Sequence, residues 1–170
     1  MPEKYVALDV ETSDLSPARG GRVIEIAAVV VEEQLILDEY STLINVDCFI
    51  HPGAKKVHGI SRHILADYPT PEEVWPQFLD CIGSSPLIAH NARFDIGFLR
   101  HELALLGLHL ANRSHCTLTL ARKHCAHLPN HRLSTVARHL LGRIPADCRL
   151  HRALGDARLA ARVWIALQGM

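Results

Sequence analysis

The chain opens on an alternating pattern. From Lys4 to Val10, Val6, Leu8 and Val10 fall on one side and Tyr5, Ala7 and Asp9 on the other, which predicts a strand with one apolar face. Arg22–Glu32 is dense in β-branched residues and predicts a second strand. Gln34–Leu43 follows a short polar turn as a third, so the three can form an antiparallel meander. The stretch 45–69 is mixed and interrupted by Pro52, Gly53 and Gly59, and reads as a long loop with a short helix after Ser61.

The remainder alternates between short apolar runs and helical periods. Thr70-Pro71-Glu72-Glu73 is a helix start, with Thr70 as cap, Pro71 at the first helical position and Glu73 completing a capping box. That helix runs to about Ile82, where Gly83 stops it. Pro86–His90 reads as a short buried strand, and a helix from about Arg93 to Leu106 closes at Gly107. Thr117–Cys125, Ser134–Leu141 and Arg152–Leu167 read as three further helices. Strands first and strand–helix alternation second predict an α/β fold, a mixed sheet flanked by helices. With 170 residues and no repeat or linker, residues 1–170 are expected to form a single domain.

Composition narrows the class. Aromatic residues are only 5% of the chain, so the core must rest on Val, Ile, Leu and Ala. Cys48, Cys81, Cys116, Cys125 and Cys148 are odd in number and include no C-x-x-C pair. They read as reduced thiols, which fits a cytoplasmic protein. The strand pattern begins almost at the N-terminus and leaves no room for a leader. No apolar run approaches the roughly 20 residues needed to span a membrane.

The zero net charge conceals an asymmetry. Residues 1–110 hold 8 Lys/Arg against 16 Asp/Glu, and residues 111–170 hold 10 against 2. A neutral total argues against coating long duplex DNA by bulk charge. An acidic half facing a basic half suits a metal site beside a phosphate-binding surface, although a solvated charge distribution would look the same.

Three segments carry candidate chemistry. In Asp9-Val10-Glu11-Thr12 the two acids project to one face of a strand and can share a cation. In His90-Asn91-Ala92-Arg93-Phe94-Asp95, Asp95 falls in the first helical turn, where the dipole also favours a carboxylate. In His151-Arg152-Ala153-Leu154-Gly155-Asp156, the His and the Asp would lie about 140° apart on a helix. They share a site only if His151 lies at or before the helix start. Taken singly, each segment has a bland reading: an acidic strand end, a helix-start acid, a surface His with a solvated Asp. Taken together they place four carboxylates and one His beside strand ends or helix starts, positions that converge at one edge of an α/β sheet. Crowded carboxylates repel unless a cation intervenes, and oxygen-only ligands select Mg²⁺ or Mn²⁺. Two such ions roughly 3.5–4 Å apart can hold the attacking and leaving oxygens of a phosphodiester. An imidazole, the side chain that titrates near neutrality, can take the proton of an attacking water.

These three segments resemble the three exonuclease motifs of the DEDDh (DnaQ-like) 3′→5′ exonuclease family, a group that includes bacterial polymerase III proofreading subunits, RNase T and oligoribonuclease. The resemblance extends to Gly21–Val30 (GRVIEIAAVV), to Val57-His58-Gly59-Ile60-Ser61, and to the order and spacing of all the pieces. His90–Leu99 (HNARFDIGFL) and His151–Ala157 (HRALGDA) are similar to the polymerase-proofreading pattern. It implies a ribonuclease-H-like, five-stranded sheet and two divalent cations, Mg²⁺ or Mn²⁺. Asp9 would bridge both metals, Glu11 and Asp156 bind the first, and Asp95 support the second. His151 would be the general base. Thr12, Val57, His58 and Phe94 match positions that contact the terminal nucleotide, with packing an alternative for His58 and Phe94. The implied activity is hydrolysis at the 3′ end of DNA to nucleoside 5′-monophosphates. Exoribonuclease action is the alternative, and a non-catalytic nucleic-acid-binding module a third. Expected partners are a nucleic acid with a free 3′ end, a second copy of the chain, or a polymerase, although the chain stops soon after the last motif, without the tethering tail expected of a proofreading subunit. Where the family often reads D-x-E-T-T-G-L, this chain reads Asp9-Val10-Glu11-Thr12-Ser13-Asp14-Leu15.

Two weaker signals remain. His124, Cys125, His127 and His131 cluster near Pro129 and could bind Zn²⁺, but their spacing fits no established pattern, so a mobile basic loop near the substrate is the preferred reading. Arg122, Lys123, Arg132 and Arg138 could line a groove for a nucleic-acid backbone.

Overall fold

A computed structural model describes residues 4–170. Strands β1 (Lys4–Thr12), β2 (Val23–Glu32) and β3 (Leu35–Leu43) form the expected antiparallel meander. β4 (Leu87–Ala89) and β5 (Ser114–Cys116) add in parallel on the other side of β1. The result is a mixed five-stranded sheet of order β3-β2-β1-β4-β5. β5 escapes the sequence pattern because Ser114-His115-Cys116 is too short to show an alternation; only the pairing with β4 defines it.

Helices α1 (Pro52–His58), α2 (Arg62–Leu65), α3 (Pro71–Ile82), α4 (Ala92–Leu105), α5 (Thr117–His124), α6 (Leu133–Leu141) and α7 (Ala153–Gln168) complete the fold. α1 lies where the sequence reads as loop. The Gly and Pro that suggest a break are its punctuation: Pro52 opens it, and Gly59, at φ 75°, ends it. The capping box on α3 is present, with the Glu73 carboxylate accepting the Thr70 amide at 2.8 Å.

Both faces of the central sheet are covered, which corrects the single apolar face expected for β1. Val6, Leu8 and Val10 pack with Val74, Phe78 and Leu99 of α3 and α4. Ala7 faces the other way, onto α7, together with Ala27 and Val29. Ala153, Ala157 and Ala161 recur every four residues along α7, so a small-residue stripe meets a small-residue patch of the sheet. α5 and α6 then bury Ala121, Val136 and Ala137 against the far side of α7. Glu102 of α4, 1% exposed, accepts both Arg22 nitrogens at 2.8 and 2.9 Å and the Val23 amide at 2.9 Å, tying α4 to the start of β2. Among the described residues no helix is long and apolar enough to cross a membrane.

Candidate active site

The C-terminal end of β1 is the base of the site. Asp9 and Glu11 point to the face covered by α7, two residues apart on one strand. The last β1–β4 pair is Ala7 with Ile88, so the Val10 amide lies beyond the parallel ladder. Asp95 takes that amide, accepting it at 3.3 Å through Oδ1. The turn from β4 into α4 makes this reach feasible: Asn91 adopts φ 72°, a left-handed conformation that Asn tolerates well, and α4 starts at Ala92.

The third segment meets the condition set by its spacing. α7 begins at Ala153, so His151 stands before the helix, at φ 59°. Its amide donates to Asp156 Oδ2 at 2.9 Å, which folds the His back over the first turn of the helix. Gly155 allows the loop to lie down on the helix, since a Cβ there would overlap the Arg149 carbonyl. Further back, Arg162 grips both Asp147 oxygens at 3.0 and 2.7 Å, and Arg158 donates to the Asp147 carbonyl at 2.8 Å.

Asp9, Glu11 and Asp156 each offer an oxygen within 4.8 Å of the others. Asp9 and Asp156 border a cavity of about 420 Å³ that His90, Arg132 and His151 also line. Asp95 is buried beside this trio rather than within it. The electrostatics are those of crowding. Burial, then repulsion from Asp95, Asp156 and Glu11, holds Asp9 well above the usual carboxylate range. Glu11 is pushed up to about 8, first by burial and then by Asp156 and Glu25, with Arg152 opposing. Burial raises Asp95 to about 8 against the hydrogen bonds it accepts. Asp156 is also raised by burial, against the His151 amide and imidazole. Four acids that resist ionising together, all oxygen donors, fit a hard divalent cation.

The expected nucleotide contacts divide. Val57 is exposed and lines a cavity of about 370 Å³ with Asp14, Leu15 and Arg19. Phe94 lines another of about 390 Å³ with Leu15, Arg93 and Phe98, and its ring sits 4.9 Å from that of Phe98. His58 is buried, with both ring nitrogens engaged: Nδ1 accepts the Ile60 amide at 3.0 Å and Nε2 reaches the Thr12 carbonyl at 3.3 Å. Burial also lowers its pKa. That geometry favours the packing role, holding α1 against the end of β1. Thr12 is buried and donates its hydroxyl to the Asp14 carbonyl at 2.8 Å. The Ser13-Asp14 variation has its own partners. Ser13 Oγ accepts the Arg22 amide at 2.9 Å, while Asp14 accepts the Leu15 amide at 2.6 Å and pairs with Arg19 at 3.3 Å.

The His/Cys cluster does not gather. Cys125 is buried among α5, α6 and α7, His131 donates to the Cys125 carbonyl at 3.0 Å, and His127 packs on His139. Among the described residues, only Asp9, Glu11 and Asp156 lie close enough to share an ion. The loop after α5 is tethered to the site instead: His90 Nε2 donates to the His131 carbonyl at 2.8 Å and its Nδ1 accepts the Thr117 hydroxyl at 2.9 Å.

Sequence reasoning passed over Glu25, Gly155 and the part played by Arg152. Glu25 sits inside a β-branched run and looks like an outward polar position, yet it is 5% exposed and accepts Arg152. A polar residue inside an otherwise unbroken apolar strand was the available signal.

A mixed sheet with acids converging at the end of its first strand, and with helices on both faces, defines a nuclease domain of the ribonuclease-H-like class. The exonuclease model RNase_T matches residues 6–164, and the chain belongs to that family, within the DEDDh group of 3′→5′ exonucleases. The family implies divalent metal ions, and the acidic cluster fits them. The chain is 38% identical over 181 residues to the DNA polymerase III subunit epsilon of Rickettsia typhi, covering 98% of this chain and 74% of that one. It is 34% identical over 161 residues to the PolC-type DNA polymerase III of Clostridium perfringens, but spans only 11% of that protein's length. Exonuclease X in complex with 5′ overhanging duplex DNA superposes with a TM-score of 0.79 at 29% identity, covering 97% of this chain and 91% of that one. A complex of E. coli ExoI with single-stranded DNA shares the fold at a TM-score of 0.85 and 15% identity, over 99% of this chain and 41% of that one.

Proposed function

We propose that this chain, acting in the cytoplasm as one domain over residues 1–170, removes nucleotides one at a time from the 3′ end of DNA, from single strands or frayed ends. The observation that carries the reading is the meeting of Asp9, Glu11 and Asp156, two of which, Asp9 and Asp156, line one cavity with His151. DNA is favoured over RNA by the relatives, which include a subunit of a DNA polymerase and an exonuclease seen on duplex DNA.

Asp9, Glu11, Asp156 and Asp95 would hold a pair of Mg²⁺ or Mn²⁺ ions. When bound, such ions supply positive charge to the oxygens of the phosphodiester and lower the cost of attack on an anionic centre. The rest falls to the chain. His151 accepts one proton from the attacking water; the new P–O bond forms as the bond to the 3′ oxygen of the preceding nucleotide breaks. That oxygen takes a proton from solvent water as it leaves, and a nucleoside 5′-monophosphate is released. Arg132, on the rim of the same cavity, faces the strand's phosphates. Phe94 and Val57 line two further cavities that share Leu15 and would hold the terminal nucleotide, with the contact between His58 and the Thr12 carbonyl steadying α1. The deciding experiment incubates the protein with 5′-labelled single-stranded DNA and a matched RNA in Mg²⁺ or Mn²⁺. A ladder of shortened DNA, abolished by EDTA, is expected; DNA left intact in both metals would end this reading.

A further inference from the structure

We propose that Glu25 is a positioning residue that, through Arg152, fixes the start of α7 so that His151 and Asp156 face Asp9 and Glu11. The inference rests on the function proposed above for its effect on turnover. Glu25 stands directly opposite Glu11 in the β1–β2 register, so both side chains lie on the α7 face of the sheet. Like charges placed opposite one another in an antiparallel pair are destabilising. Arg152 resolves the conflict. Its Nε donates to both Glu25 oxygens at 3.1 Å and its second nitrogen donates to Oε1 at 2.7 Å. Glu25 Oε2 also accepts the Ala153 amide, the first of α7, at 3.1 Å. One carboxylate thus binds the side chain before the helix and the backbone of its first residue, between His151 and Asp156.

Glu25 is not placed to ligate an ion. Its oxygens are occupied by Arg152 and Ala153, and the group of acids close enough to share a metal excludes it. Arg152 commits Nε and one terminal nitrogen to Glu25, which aims its guanidinium at that carboxylate. The pair therefore acts on the reaction through the pose of α7, with no contact to the reacting atoms.

The test compares the parent chain with Glu25→Gln, Arg152→Met, the double variant and Arg152→Lys. It measures kcat and KM on 5′-labelled DNA, Mn²⁺ binding by electron paramagnetic resonance, and Tm. Partners of this kind beyond the metal ligands typically change activity or metal affinity 10- to 100-fold. Each single variant is expected to lose kcat on that order with KM little changed, and Glu25→Gln to bind Mn²⁺ more weakly. The double variant should lose no more than the worse single, because the two residues act as one unit. Arg152→Lys keeps the charge without the fork and should lose about tenfold in kcat while folding normally, the low end of that range. Parent-like turnover in Arg152→Lys or Glu25→Gln, or losses that simply add in the double variant, would overturn the positioning role. A parent chain inactive on every strand would sink the proposed function instead, and Mn²⁺ binding to Glu25→Gln would then decide this inference alone.

Discussion

At the scale of single residues, the acids at the end of β1 exist in a state that folding alone does not favour. Asp9 is held well above the usual carboxylate range, and Glu11 and Asp95 reach about 8. Raised folded pKa values mean that the unfolded chain binds fewer protons between the ordinary carboxylate range and pH 8. Metal-free protein should therefore lose stability as pH rises from about 4.5 to about 8 on account of these groups. Added Mn²⁺ at pH 8 should restore it. Thermal melts across that range, with and without the ion, check the sign, and a metal-free Tm that stays flat would contradict the crowding. Asp9→Ala should abolish metal-dependent cleavage and leave the fold intact by circular dichroism. His151→Ala should slow turnover by about 10²–10⁴-fold, the usual contribution of a positioned general base. Turnover at the parent rate in either variant would remove that side chain from the mechanism.

At the scale of elements, α7 decides whether the third motif works. Its alanine stripe lets it lie close on Ala7 and Ala27, and Gly155 gives the preceding loop room to lie against it. Gly155→Ala should therefore disturb the site more than a surface glycine change would. The added Cβ meets rigid backbone at Arg149, and overpacking of this kind costs roughly 1–3 kcal/mol. Urea unfolding and Mn²⁺ affinity should fall together; a variant of parent stability and affinity would show that the loop has slack. The α7 start, the capping box on α3 and the three meander strands were all legible, because each rests on local periodicity or on a local cap. α1 and β5 were not. One hides behind Pro and Gly that also mark loops, and the other is a strand only because β4 offers it an edge.

At the scale of the whole molecule, the two halves of opposite charge meet around one cavity. The acidic half supplies Asp9, with Glu11 and Asp95 close behind it, and the basic half supplies Arg132 beside His151 and Asp156. Strand binding should accordingly weaken as salt rises, while the rate at saturating strand changes little. Arg132→Ala should raise KM and reduce the slope of log KM against log salt by about 1, as expected for one lost phosphate contact. An unchanged slope would place Arg132 away from the strand.

The sequence by itself determined the fold class, the five residues of the three motifs and the family, because periodicity, caps and motif spacing are written locally along the chain. Only the tertiary structure decided that His58 turns inward onto Thr12, that the His/Cys cluster disperses, and that Glu25 reaches across to Arg152. Those outcomes depend on which backbone groups are left without partners once the sheet and its helices have packed, and residues 127 positions apart cannot announce that to one another in one dimension.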